Sequence, residues 1–378
     1  MEEQMLRDYV VGLRRAFHRK PELGLKEFET SRRVREELSA RSIPFRTVGD
    51  TGVVAEISGG RPGPTVLLRA DMDALPIQEE TGLPFASQVP GVMHACGHDA
   101  HTAMLLGAAA LLWEEREALP GRVRLVFEPA EEFAGAGRTL LEAGVLEGAD
   151  TVFAIHVAPN LPRGAVSVQP GVRMSGCGFF SLTVRGRSGH GSAPHEGIDV
   201  IPAACAMVSA LQTVVSREMS PRDFVVITVG TFHAGTAANI LAGEAKLTGT
   251  IRYQNPALKE VLPAAVERVL RGTAEAFRVT IDLKCGMGLP PVVNDAACAA
   301  VAERAAAGLL NVAELPIGTG SDDFAYYTQR IPGVYAFLGT GGDHPIHHER
   351  FTLDEDALAP GSRLYARYAE EYLRGGCL

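Results

Sequence analysis

The sequence predicts an α/β fold built on a mainly parallel sheet, with a ferredoxin-like α+β domain inserted in it. Three observations lead there. Short apolar runs alternate with helical periodicity through the first part of the chain, the order that builds parallel sheets. Polar clusters fall directly after those runs, where open α/β sheets gather their sites. From residue 175 to 289 the order becomes β-α-β-β-α-β, that of a ferredoxin-like sandwich.

Taken in order, residues 5–41 read as amphipathic helix around a turn at "HRKPELG". Strands are expected at "VVAEI" (53–57), "TVLLRA" (65–70), "VRLVFE" (123–128) and "TVFAIHV" (151–157), with helices near 100–117 and 137–143. "DMDALP" follows the second run, "PAEE" the third, and His156 closes the fourth, so one sheet edge is expected to carry the site. In the insert, "FFSLTVRG", "FVVITVGTF", "AKLTGTIRYQ" and "RVTIDLKC" read as strands, and "DVIPAACAMVSALQTVVSR" and "ALKEVLPAAVERVLRGTAEAF" as helices. Past residue 290, "VNDAACAAVAERAAAGLL" and "GVYAFLGTGG" resume the helix-strand alternation. One domain is therefore expected over residues 1–174 and 290–378, and the second over 175–289.

Composition narrows the class. The 378 residues are 46% hydrophobic and 21% charged, with a net charge of -9, which offers nucleic acid no basic footprint. A small-molecule partner is expected. No stretch approaches the roughly 20 uninterrupted apolar residues of a membrane helix. The opening "MEEQMLRDYVVGLRRAFHRKPE" lacks the apolar core of a signal peptide, so a cytoplasmic location with no membrane partner is expected. The six cysteines (Cys96, Cys177, Cys205, Cys285, Cys298, Cys377) form no CxxC pair, which argues against a disulfide framework and for mostly buried thiols.

The densest chemistry lies in "HACGHDAH" (94–101). Cys96 and His98 offer a thiolate and an imidazole two residues apart, strong ligands for zinc and its first-row neighbours. The competing reading is a buried cysteine beside a helix start, with Asp99 capping the helix by accepting from the Thr102 amide. In "EPAEEF", Glu131 and Glu132 can simply favour the positive end of a helix. They can also divide the labour of metal-assisted hydrolysis, one as ligand and one as the base that takes a proton from water. His156 and the tail "HPIHHERF" add imidazoles. Cys, His, Glu, His and His exceed the three protein ligands usual at a one-zinc catalytic site, which favours two metal ions. No GxSxG elbow and no GxGxxG turn after the first strands speak for a serine hydrolase or a dinucleotide enzyme.

The ordered series "DMDALP", "HACGHDAH", "EPAEE", "AIHVAP", "GRSGHGSAPH", "GTAANI", "GTIR", "GSDDFAYY" and "HHERF" resembles that of the M20 metallopeptidases over nearly the whole chain. The resemblance is to the amidohydrolase branch, with hippurate hydrolase, N-acyl-amino-acid deacylases and auxin-conjugate hydrolases. It implies a metallohydrolase catalytic domain with an inserted lid or dimerisation domain, a small-molecule N-acyl amino acid as substrate, and a homodimer. It implies Cys96, His98, Glu132, His156 and His347 as ligands of two divalent ions (zinc, nickel, cobalt or manganese), with Glu131 as general base. Asp73 is implied to orient a ligand, and Asp71 stands where the peptidase branches carry histidine. Between His347 and His348, motif register favours His347. His190 is implied to polarise the scissile carbonyl, and Asn239 and Arg252 to hold the substrate, a guanidinium forking onto its free carboxylate. His94, His101 and His344 are left as structural or supporting groups, and His195 and His233 as surface candidates. The nearest alternative reading is a dipeptidase or aminopeptidase of the same fold.

Overall fold

The computed structural model describes residues 1–133 and 136–375; Cys377 lies outside the described residues. The chain divides into two compact units, Met1–Arg173 with Val293–Pro316 and Asp322–Leu378, and Met174–Val292 with Ile317–Ser321. The short Ile317–Ser321 stretch, expected with the first domain, belongs to the second unit. The Ser175 amide donates to the carbonyls of Gly318 and Gly320 (3.1 and 2.9 Å) and ties it there.

The first unit carries an eight-stranded sheet in the order Phe45–Val48, Gly52–Ser58, Pro120–Glu128, Arg61–Asp71, Thr151–Ala158, Gly333–Gly339, Ala165–Ser167, Asn311–Val312. The four strands from Pro120–Glu128 to Gly333–Gly339 run parallel. The antiparallel pairings, Gly52–Ser58 with its two neighbours and Ala165–Ser167 with Gly333–Gly339, flank them, so the sheet is mixed but mainly parallel. Thr151–Ala158 and Gly333–Gly339 are buried at every position, as expected of parallel strands covered on both faces. Asp71 pairs with Glu128, and Ala158 with Gly339, so the strand ends share one edge.

Helix His98–Glu115 is apolar nearly all round, and only a helix enclosed by other elements can be so. It packs between helices Glu3–Arg19 and Leu358–Leu373 and against the Arg61–Asp71 strand. From Leu358–Leu373, the Tyr365 hydroxyl donates to the Arg69 carbonyl (2.8 Å) and Tyr368 stacks on Phe153 at 4.2 Å.

The helix start corrects the expectation for Asp99. Gly97, at φ 88°, is the N-cap, so the helix begins at His98 and Asp99 sits inside its first turn. A Cβ on Gly97 would also lie 2.5 Å from Val157 Cγ2, so this position requires glycine twice over. The Asp99 carboxylate turns to buried cations instead. Its Oδ2 accepts from Arg14 Nε (2.9 Å) and His18 Nδ1 (2.7 Å), while His18 Nε2 lies 3.3 Å from Glu79 Oε1.

The second unit pairs Val225–Ala234, Glu244–Tyr253, Gly176–Arg185 and Thr280–Met287 in that order, all antiparallel. With helices Val200–Thr213 and Val261–Phe277 this is the expected βαββαβ sandwich. The stretch Val200–Glu218 has mean hydropathy 1.4 and is long and apolar enough to cross a membrane by composition alone. Its Ala203, Ala204, Met207 and Leu211 pack in this unit's core. Of the cysteines, Cys96, Cys177 and Cys298 are buried, Cys285 is partly so and Cys205 is exposed.

Burial disfavours a charged His18 ring, but Asp99 and Glu79 outweigh it and hold its pKa above the ordinary value. Its stabilisation is therefore full below the ordinary histidine pKa and is lost as pH rises through the raised one. Asp99→Ala removes the buried acceptor that Arg14 and His18 share, leaving Arg14 only Glu355 and His18 only Glu79, and is expected to cost about 3–5 kcal/mol in denaturant unfolding at pH 6. A loss below about 1 kcal/mol would contradict this role.

Candidate metal centre

The left-handed turn at Gly97 sets Cys96 and His98 against the end of the Thr151–Ala158 strand, with the Cys96 Sγ 3.4 Å from His156 Nε2. Glu131 and Glu132 open a short 3-10 turn after the Pro120–Glu128 strand. The tail returns at His347, whose amide donates to the Ala95 carbonyl (2.7 Å) and whose Nε2 lies 3.2 Å from Glu132 Oε1. The potential ligand atoms of Cys96, His98 and His156 lie within 4.8 Å of one another, and so do those of Cys96, Glu132 and His347. The two trios share the sulfur. Four segments distant in sequence thus converge, and His347 rather than His348 is the tail residue among them.

The supporting hydrogen bonds fix which ring nitrogens face inward. His98 Nδ1 donates to Asp73 Oδ1 (3.2 Å), and its buried Nε2 has no hydrogen-bond partner among the described residues. His156 Nδ1 donates to the Val157 carbonyl (2.7 Å), which turns Nε2 toward Cys96. Asp73 does more than orient a histidine. Its Oδ1 and Oδ2 also accept from the amides of Glu131 and Glu132 (3.1 and 3.2 Å). A buried thiol, an orphaned imidazole nitrogen and adjoining carboxylates are a donor set that suits zinc-like divalent ions.

Electrostatics separates the two glutamates. Burial, with Asp322, Asp323 and Glu132 nearby, pushes the Glu131 carboxyl well above the ordinary range. Burial also works on Glu132, but His347 and His98 outweigh it and hold this carboxyl below its ordinary value. The two neighbouring carboxyls are thus shifted in opposite directions.

Residues 67–371 match the sequence profile of peptidase family M20/M25/M40. The chain belongs to that family. It is 40% identical over 372 residues to an N-acetylcysteine deacetylase of Bacillus subtilis (strain 168), covering 98% of each chain. It is 40% identical over 379 residues to an IAA-amino acid hydrolase of Arabidopsis thaliana, covering 97% of this chain and 86% of the relative. Among solved structures, the Bacillus subtilis YXEP protein, a dinuclear metal binding peptidase from the M20 family, superposes with a TM-score of 0.90 at 38% identity. That superposition covers 98% of this chain and 99% of the other. These likenesses place the chain in the amidohydrolase branch of the M20 family as a metal-dependent hydrolase.

Of the remaining residues singled out in this M20 sequence, His190, His195, His233, Asn239 and Arg252 lie in the second unit, and His94, His344 and His348 in the first. His190 pairs with Ile240 in a two-residue strand, and Gly191 donates to the Asn239 carbonyl (2.8 Å), so His190 and Asn239 are neighbours. His190 Nδ1 accepts from the Ser192 amide (3.2 Å), which leaves the proton of the neutral ring on Nε2. Arg252 lies on the four-stranded sheet opposite Cys177 and Val226, and donates to the Ile251 carbonyl (3.3 Å). His195 and His233 are exposed. His94 is buried, neither of its ring nitrogens is hydrogen-bonded among the described residues, and burial lowers its pKa to about 3. The stacked rings of His344 and His348 lie 4.3 Å apart.

Sequence reasoning missed the charge hub behind the site. Fully buried Arg69 donates to Glu128 (2.5 Å), Asp71 (2.7 Å) and Asp323 (2.8 Å), with Asp322 at 3.4 Å. Asp71 in turn accepts from His101 Nδ1 (2.6 Å), whose Nε2 accepts from the Val157 amide (2.9 Å). The available signal was an arginine inside the apolar run "TVLLRAD", which only buried carboxylates can accommodate. Asp73→Ala removes the acceptor that His98 and both glutamate amides share. It should lower divalent-ion affinity about 10- to 100-fold in chelator competition. Unchanged affinity would show that these bonds do not hold the ligands.

Proposed function

We propose that this protein hydrolyses the amide bond of N-acyl-L-amino acids, releasing a carboxylic acid and a free amino acid. The observation that carries this reading is the pair of donor trios that share Cys96, with the buried Glu131 beside His98 and Glu132. Cys96, His98 and His156 hold one divalent ion, and Cys96, Glu132 and His347 the other. Bound there, the ions supply Lewis acidity and lower the pKa of water toward neutrality.

Glu131 takes the proton from the attacking water and passes it to the departing amine, a two-way duty that suits a carboxyl held well above its ordinary pKa. His190 donates through Nε2 to the acyl oxygen as negative charge develops there. Asn239 and Arg252 hold the amino-acid half, the guanidinium on its free α-carboxylate. The branch membership and the relatives' deacetylase and conjugate-hydrolase activities support this substrate class.

We further assign a homodimer through the second unit. The exposed Ile201 and Cys205 on its apolar helix and the open edge of Val225–Ala234 are surfaces suited to a second copy. The protein is assigned to the cytoplasm.

The test is a hydrolysis screen over N-acyl amino acids and unblocked dipeptides, with zinc, nickel, cobalt or manganese restored after chelation. N-acyl substrates should be cleaved in preference, and Glu131→Gln should cut turnover roughly 10²- to 10⁴-fold while keeping its metal. Preferred cleavage of the free dipeptides, or a near-fully active Glu131→Gln protein, would overturn the reading.

A further inference from the structure

The turn "PELGLKEF" contributes no residue to the metal centre, yet it carries a carboxylate that is wholly buried. Glu27, at the head of helix Phe28–Ala40, is 0% exposed. Among the described residues no cation pairs with it. Its Oε1 accepts from the amides of Leu25 (3.0 Å) and Ala130 (2.8 Å), and its Oε2 from the Thr51 hydroxyl (2.9 Å). Burial raises its pKa above the ordinary value, against the pull of these donors. A desolvated carboxylate without a counter-ion is costly, so what it holds matters.

It holds Ala130, which has φ 53°, a left-handed conformation that a side chain with a Cβ rarely adopts. Ala130 directly precedes Glu131 and Glu132. Three consecutive amides are thereby captured by two buried carboxylates, Ala130 by Glu27 and the next two by Asp73. Asp73 reaches back to His98, whereas Glu27 reaches across to Thr51, before the Gly52–Ser58 strand. Without the Glu27 acceptor, Ala130 loses the bond that offsets its backbone strain, and an extended conformation there would swing both glutamates away.

We propose that Glu27 is a positioning residue, which acts through the left-handed Ala130 to hold Glu131 and Glu132 on the metal centre. This rests on the two-ion reading above, and it makes the ions unequal in their dependence on Glu27. The trio Cys96, His98 and His156 takes nothing from the 129–133 turn, whereas the trio Cys96, Glu132 and His347 does.

The experiment is stepwise zinc titration of the metal-stripped full-length protein against a chelator, with thermal unfolding of each apo variant alongside. Glu27→Ala should weaken one of the two ions by about 10-fold or more and leave the other within about 3-fold. Glu27→Gln retains an acceptor for both amides and should stay within about 3-fold of wild type for both ions. Ala130→Gly added to Glu27→Ala should restore most of the lost affinity, because glycine adopts positive φ without a Cβ penalty. A merely structural role would give no such rescue. Should Glu27→Ala fail to fold, Glu27→Asp, which draws the acceptor back by one methylene, should weaken the same single ion. Equal weakening of both ions, no weakening, or no rescue by glycine overturns the proposal for Glu27 alone. A wild-type protein that takes up fewer than two ions overturns the metal-centre reading, and this inference with it.

Discussion

The arrangement depends on one buried carboxylate. Asp73 accepts from His98 and from the amides of Glu131 and Glu132, and so joins the segment after one strand to the turn after its neighbour and to the helix start beyond. Inside a protein the loss of an acceptor shared by three buried donors is expensive, because no water replaces it. The bond from His98 Nδ1 also decides that Nε2 is the nitrogen facing the site. Cys96, Glu132, His156 and His347 come from segments far apart in the chain, and bonds from the Glu132 amide to Asp73, from His156 to the Val157 carbonyl and from the His347 amide to the Ala95 carbonyl hold three of them.

A second layer of charge lies behind that carboxylate. Arg69 neutralises part of a cluster comprising Asp71, Glu128, Asp322 and Asp323, and the Tyr327 and Tyr335 hydroxyls donate into the same cluster. Acids outnumber the single arginine, and the cost falls on the carboxyls: burial and its acidic neighbours raise Asp323 well above the ordinary range. The same excess of negative charge bears on Glu131. The shift at Glu131 thus comes from its surroundings, which a sequence motif does not state.

The motifs and the positions of the main strands were legible because both are local patterns. Apolar runs marked the parallel strands, the polar clusters marked their shared edge, and "HACGHDAH" and "EPAEEF" already held three of the converging donors. What escaped was set by contacts between residues far apart in the chain. Arg69 reaches Asp323 across 254 positions, and Ala130 meets Glu27 across 103. Asp99 looked like a cap because its residue type favours caps. A positive φ at Gly97 moved the helix start, and Arg14 and His18 claimed the carboxylate. The two-residue strand that sets His190 beside Asn239 was too short to leave a periodic signature.

The central claim is that one thiolate is shared by two ions. X-ray absorption at the zinc edge, on protein loaded with two equivalents, tests it most directly. The account predicts a sulfur scatterer at about 2.3 Å from zinc together with a second zinc at about 3.5–4 Å, both lost in Cys96→Ala. A spectrum fitted by nitrogen and oxygen alone, or zinc with no metallic neighbour, would contradict it.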